Sequence, residues 1–503
     1  MAGASYEDLR AVARRLVEGV FDVLRAQHVI PTPVFHPYIQ VGRDYFGDSV
    51  RAVDEHVPFN ALLTELYPGR FDQGEDRFPP EYPDMYSFAL VEAAVARCGR
   101  ADTFDDPGDD IDASIDELLA VLDSPTYELV CCRVVSHLTT ATREPLSLAG
   151  IEVVPEVEPD AVGDRAHNDI LRRIVREVPR TPFALNRETP FPWDRPHALL
   201  IARETLPVPT SFRDRLDGLP TLSPRLDRFL LLLRLLTAAT TESFYELEGA
   251  ATLIAGQPVR LANFERGWFG SRVRRTVRLD DGQRAAFEAL GRMIDEAEVK
   301  REGMAATALD SALGRFSASY TIDNEFERIV SLATALEATL SGEKDDSEAL
   351  TFKLRSRCAA LLATEQDSAR AIFDDVGALY NIRSAVVHGG AMKQKDLRKI
   401  VARISTIEGG SVVSEFGIAA ARAADRMREI VRRAILARLC LAEPPDALWP
   451  LSGATSVDAM LADDATREAW RSSWHQRLEE LGAGESAQPA ELARHFLDRD
   501  DRA

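Results

Sequence analysis

The stretch YNIRSAVVHGG, Tyr380 to Gly390, sets an arginine five positions ahead of a histidine and then breaks at two glycines. An imidazole titrates near neutral pH and can take or give a proton. A guanidinium keeps its charge and grips phosphate oxygens in a fork. Arg383 and His388 together have the chemistry to cleave an RNA phosphodiester without a metal. The 2′-hydroxyl would attack the adjacent phosphate, and Arg383 would hold the charge that develops there. Asn381 and Ser384 could orient His388 or touch the substrate. One histidine is few for both acid and base roles, and a symmetric dimer would supply two. The plainer alternative is a structural hydrogen-bonding pair on a packed helix.

The pair must ride on a helix. At about 100° per residue, Leu379, Ile382, Ala385 and Val386 share a core-facing side. Asn381, Ser384 and His388 fall opposite, with Arg383 on a flank near Val387, and the glycines end the helix. Downstream, Lys393, Lys395, Arg398, Lys399 and Arg403 stand against a single acid, Asp396. That basic strip could meet a few phosphates, or be a solvated helix face. SRVRRTVRL, residues 271–279, is a second basic patch whose alternation suits a solvent-facing strand. The other histidines, His28, His36, His56, His137, His167, His197, His475 and His495, lack a partner pattern.

The chain of 503 residues is long enough for about three domains. Its net charge of -21 argues against a surface that is basic all over, yet allows a small basic site. Five cysteines with no C-x-x-C spacing argue against a zinc site or a disulfide framework and fit a reducing cytoplasm. The N-terminus is amphipathic and carries early acids, unlike a signal peptide. The longest apolar run, FLLLLRLL from Phe229, is too short to span a bilayer, so no membrane association is expected. The acidic run near Gly108 fails as a calcium loop, because a proline and a threonine fall on ligand positions. No G-x-S-x-G, P-loop or H-E-x-x-H occurs in the first 220 residues, and neither a metal nor a cofactor is expected.

Periodicity predicts an α+β chain: a mixed N-terminal region with several strands, then an all-helical bundle. Helices are expected over 5–27 and 87–96, with loops over 58–82 and strands over 126–210. A helix opens at Ser223-Pro224, and from Asp281 to Cys440 nearly everything is helical. The boundaries read as 1–220, a mixed region; 221–304, connecting helices and strands; 305–445, the bundle; and 446–503, a C-terminal tail with one helix.

LYNIRSAVVHGG resembles the arginine, four to six residues, histidine signature of the HEPN superfamily. It is most similar to the Apea-like branch, with Tyr380 three residues before Arg383 and H-G at the end. RFSASYTIDNEFERIVSLATALEATLSG, which contains Glu337, is similar to that branch's first long helix, and KLRSRCAALLA, with Arg357, to its second. The likeness covers about residues 305–440. It implies a dimerising helical domain and, in many members, a metal-independent ribonuclease of bacterial defence or toxin systems. Arg383 and His388 would be the catalytic pair. Tyr380, Asn381 and Ser384 would support them, and Lys393, Lys395, Arg398 and Lys399 would meet RNA. Glu337 would be either their polar partner or a helix-packing acid. Active members often carry Asn, Asp or His after the arginine, whereas Ser384 stands here. Other members only bind RNA or a protein, and this is the alternative function. Residues 1–220 would sense or restrain, answering to a regulatory protein or a phage-derived trigger.

Overall fold

The computed structural model describes residues 4–27, 40–41, 44–68, 82–98, 104, 106–155, 174, 177, 197–208, 221–252, 260–263, 276–299, 307–340, 349–387, 394–407, 416–442 and 457–490. They form an α+β protein with an antiparallel sheet and many helices. Among them, no helix is long and apolar enough to cross a membrane.

The first helices are α1 (Tyr6–Ala26), α2 (Phe46–Arg51), α3 (His56–Leu66), α4 (Tyr82–Cys98) and α5 (Gly108–Asp123), with a small β1–β2 ribbon (Gln40–Val41, Asp44–Tyr45). Ser5 and Asp8 close a capping box on α1. Leu9, Val12, Leu16, Val20 and Leu24 then recur at helical spacing and are buried. These helices build a core entirely from residues between Leu9 and Leu122. α3 replaces part of the expected loop. Its Pro58 sits in the first turn, where the missing N–H has no helical acceptor to lose.

The main sheet runs β5 (Leu146–Leu148), β6 (Ile151–Pro155), β7 (His197–Pro207), β3 (Thr126–Ser136), β8 (Ser243–Ala250), β9 (Arg260–Asn263), antiparallel throughout. β4 (Leu138–Thr140) pairs in parallel with β10 (Val277–Leu279). Because strand side chains alternate, Leu129, Cys131 and Leu200 enter one core while Val130, Cys132 and Leu199 enter another. α6 (Ser223–Thr237), with Pro224 in its first turn, lays its leucines between the sheet and the helices beyond. β8 lies beside central β3 in the sheet. The sheet therefore takes strands from both sides of residue 220.

The bundle comprises α7 (Arg284–Val299), α8 (Ala308–Ala318), α9 (Glu325–Leu340), α10 (Leu350–Leu362), α11 (Ala369–Val387), α12 (Gln394–Val401), α13 (Phe416–Ala442), α14 (Val457–Ala462) and α15 (Asp464–Glu480). It shares one continuous apolar core with a face of the sheet. Among the described residues of 446–503 stand α14 and α15, and Trp470, Trp474 and Leu478 enter that same core. A helix leaves its last four carbonyls without helical partners. Those of α10 are all met by side chains. Arg471 donates to Ala359 and Ala360, Trp474 to Leu361 and Arg433 to Leu362. Arg357 on α10 grips Asp458 of α14 with two bonds of 2.6 Å and donates to Leu340 of α9.

α13 carries a buried ionic network. Arg426 forks onto Asp367 at 2.8 and 2.9 Å and donates to Asp375 at 2.8 Å, and Arg433 also pairs with Asp367. Burial works to raise the Asp367 pKa, but Arg426 and then Arg433 outweigh it and hold the carboxyl below its usual value. A depressed folded pKa gives stability that is present above about pH 4 and lost as pH falls through the folded value. Asp367→Asn should lower the unfolding free energy by about 3–5 kcal/mol at neutral pH, because it strands buried guanidinium charge. Its stability should also fall less than wild type on acidification below about pH 4. Urea titrations at both pH values check this.

Candidate functional site

α11 opens at Ser368, whose hydroxyl accepts from the Ala371 N–H at 3.2 Å. Ile372, Val376, Leu379 and Ile382 then define its buried side, and Asp375 falls among them. This register leaves Asn381 and Ser384 exposed, as their spacing predicts, and Arg383 half-buried on the flank. His388, Gly389, Gly390 and Lys393 lie outside the described residues.

Two rungs tie α11 to α9. The Tyr380 hydroxyl donates to the Ala333 carbonyl at 3.1 Å. One turn on, Arg383 Nη2 stands 3.6 Å from Glu337 Oε1, too far for a good hydrogen bond. Residues 333 and 337 share a face of α9, so 380 and 383 meet them in step. Burial first, and then the Glu337 carboxylate, push the Tyr380 phenol well above its usual range, although Arg383 opposes this. Tyr380 therefore stays protonated and acts as a strut. The buried Nε of Arg383 has no hydrogen-bond partner among the described residues, and its side chain keeps 31% of its surface in water. The arrangement leaves a charged fork with spare donors beside two exposed polar side chains, a fit for an anionic oxygen.

The basic strip is only partly a strip. Lys395, Lys399 and Arg403 are exposed at four-residue spacing, and Lys399 also meets Asp396 at 3.4 Å. Arg398 is instead half-buried, with its guanidinium 5.3 Å from the Phe416 ring centre. It shields an aromatic edge instead of facing outward with its neighbours. In the second basic patch, residues 276–279 are described, and Arg278 is exposed between buried Val277 and Leu279.

The residue that orients this region is Asp375, which the spacing of Arg and His did not single out. Its carboxylate accepts from the Ser405 amide at 2.7 Å and hydroxyl at 2.6 Å, and from Arg426. It fixes the segment after α12 against α11 and so sets the basic side chains relative to Arg383. An acid in register with Ile372 and Leu379 was the available signal, since a buried carboxylate demands partners. Among the described residues, no cluster of His, Cys, Asp or Glu could hold a metal ion. His56, His137 and His197 are buried in the fold. Comparison with protein-family models, curated proteins and solved structures finds no match to this chain.

Tyr380→Phe should lower stability by about 0.5–1.5 kcal/mol, the net worth of one hydrogen bond. Thermal denaturation measures it. If the strut also holds Arg383, any activity of the site should fall in the same variant while bulk secondary structure is kept.

Proposed function

We propose that residues 305–445 are an Apea-like HEPN domain and that the protein is a metal-independent endoribonuclease. The observation that carries this reading is the half-buried Arg383 side chain, whose Nε lacks a hydrogen-bond partner among the described residues, beside exposed Asn381 and Ser384. Arg383 binds the scissile phosphate and stabilises its developing charge. His388 moves the proton of the 2′-hydroxyl or of the leaving oxygen. The products are a 2′,3′-cyclic phosphate and a 5′-hydroxyl. Two copies of the helix in a homodimer supply acid and base together. Lys393, Lys395 and Lys399 attract the RNA backbone. The protein acts in the cytoplasm in bacterial defence or as a toxin, under restraint from its N-terminal half until a regulatory protein or phage-derived trigger releases it.

The second reading is a HEPN module that binds RNA or a protein without cleaving. It draws on Ser384, and on the approach of Glu337 to Arg383, which also suits a structural pair.

His388→Ala should slow cleavage of a mixed RNA pool by about 10²–10⁴-fold, the usual worth of an acid–base group. RNA binding should stay near wild type. Arg383→Ala should lose most activity, and Ser384→Asn should raise it. Wild-type cleavage should survive EDTA. Unchanged cleavage in His388→Ala would end the nuclease reading. Intact RNA binding with no cleavage under any trigger would favour the second.

Sedimentation of the intact chain should show a dimer at micromolar concentration. A monomer with and without RNA would remove the composite site.

A further inference from the structure

Gly377 lies inside α11, where glycine weakens a helix. A Cβ there would stand 2.7 Å from Cζ and Nε of Arg355, so the missing side chain lets that guanidinium lie against the α11 backbone. Arg355 is held from several sides. Its Nε donates to the Phe373 carbonyl at 2.9 Å, its Cζ sits 3.9 Å from the Phe373 ring centre, and its Nη2 stands 3.6 Å from Asp374. Beside it, Phe352 is 61% exposed and meets Phe373 edge to face at 6.0 Å. Arg370 is 85% exposed and shares Asp374 at 2.6 Å. Asn381 and Ser384, both exposed, follow one and two turns beyond buried Gly377 on the same side of α11.

We propose that Phe352, Arg355 and Arg370 form a binding site for single-stranded RNA that leads along α11 toward Arg383. A base stacks on the exposed Phe352 ring, and flanking phosphates meet the two guanidinium groups. Ring faces accept any base, so the site is tolerant of sequence. Pre-fixing Arg355 over Phe373 lowers the ordering cost of each bond it makes. Of the basic residues of α10 and α11, Arg370 is exposed and Lys353, Arg355 and Arg383 are half-buried, against Glu365 and Asp374 in the same hairpin. The sequence just before α10 is acidic, with Glu343, Asp345, Asp346 and Glu348. No broad basic field exists here, so stacking carries more of the affinity than charge does.

The proposal rests on the reading of the protein as acting on RNA, and the test separates the two. The probe is a fluorescent 2′-fluoro oligouridylate, which lacks the nucleophile and stays intact. Its affinity is read by anisotropy at low and high salt for wild type, Phe352→Ala, Arg370→Ala and Arg355→Lys. Both Phe352 and Arg370 are exposed, so their variants should melt like wild type. Phe352→Ala should bind about 5- to 100-fold more weakly, the range for one lost stack. Arg370→Ala should lose less and flatten the salt dependence, and Arg355→Lys should fall between. Wild-type affinity in both exposed variants would overturn this site and leave the RNA reading standing. No binding by wild type would overturn both. A changed sedimentation coefficient in Phe352→Ala with unchanged RNA affinity would make this face a protein contact instead.

Discussion

The bundle depends on guanidinium groups buried along α13. A buried charge is tolerated only when its desolvation is offset by fixed partners. Here the partners are acids and the orphan carbonyls of helix ends. Arg426 joins Asp367 to Asp375, and Arg433 joins Asp367 to the end of α10. Arg432 pairs with Glu429 and donates to the carbonyls of Leu235 at the end of α6 and of Ser486. Arg433 and Arg432 thus close helix-end carbonyls that water would otherwise have to satisfy, while Arg426 binds acids alone. Apolar packing alone would not fix the relative rotation of these helices. A planar fork with several donors does, because its bonds have directions.

This frame holds α11 from two sides. Asp375 anchors it to α13 and to the segment after α12, while Tyr380 anchors it to α9. The helix is thereby anchored over the turns that precede Arg383. The side chains of Asn381, Ser384 and Arg383 then project from a fixed rod, which suits a site whose geometry must be kept to a fraction of an ångström. Phe352 and Arg355 stand in the same hairpin, so their spacing from Arg383 is set by the same contacts.

Much of this was legible in the sequence. The leucine periodicity of α1, the β-branched runs of β3 and β7, the Ser-Pro start of α6 and the two-sided character of α11 follow from local pattern. So did the exposure of Asn381 and Ser384. What escaped was set by long-range pairing. Nothing local tells that β8 lies beside β3, with a helix between them in the chain. α15 is polar overall, and only the partners of Trp474 and Arg471 on α10 reveal it as part of the core. Arg398 and Lys399 are neighbours of like charge in sequence, yet one turns onto Phe416 and the other to water. Gly377 reads as a flaw in a helix until the side chain lying over it is known.

Among the described residues, α1 to α5 bury their apolar side chains in a core of their own, whereas the sheet and bundle share theirs. The two units therefore answer differently to mutation. A change in the core between Leu9 and Leu122 is met by that core's own side chains. The sheet and bundle must change together, since a residue altered on α6 presses on both. A break in the chain ahead of β3 leaves both cores whole, whereas one between β3 and α15 divides a core.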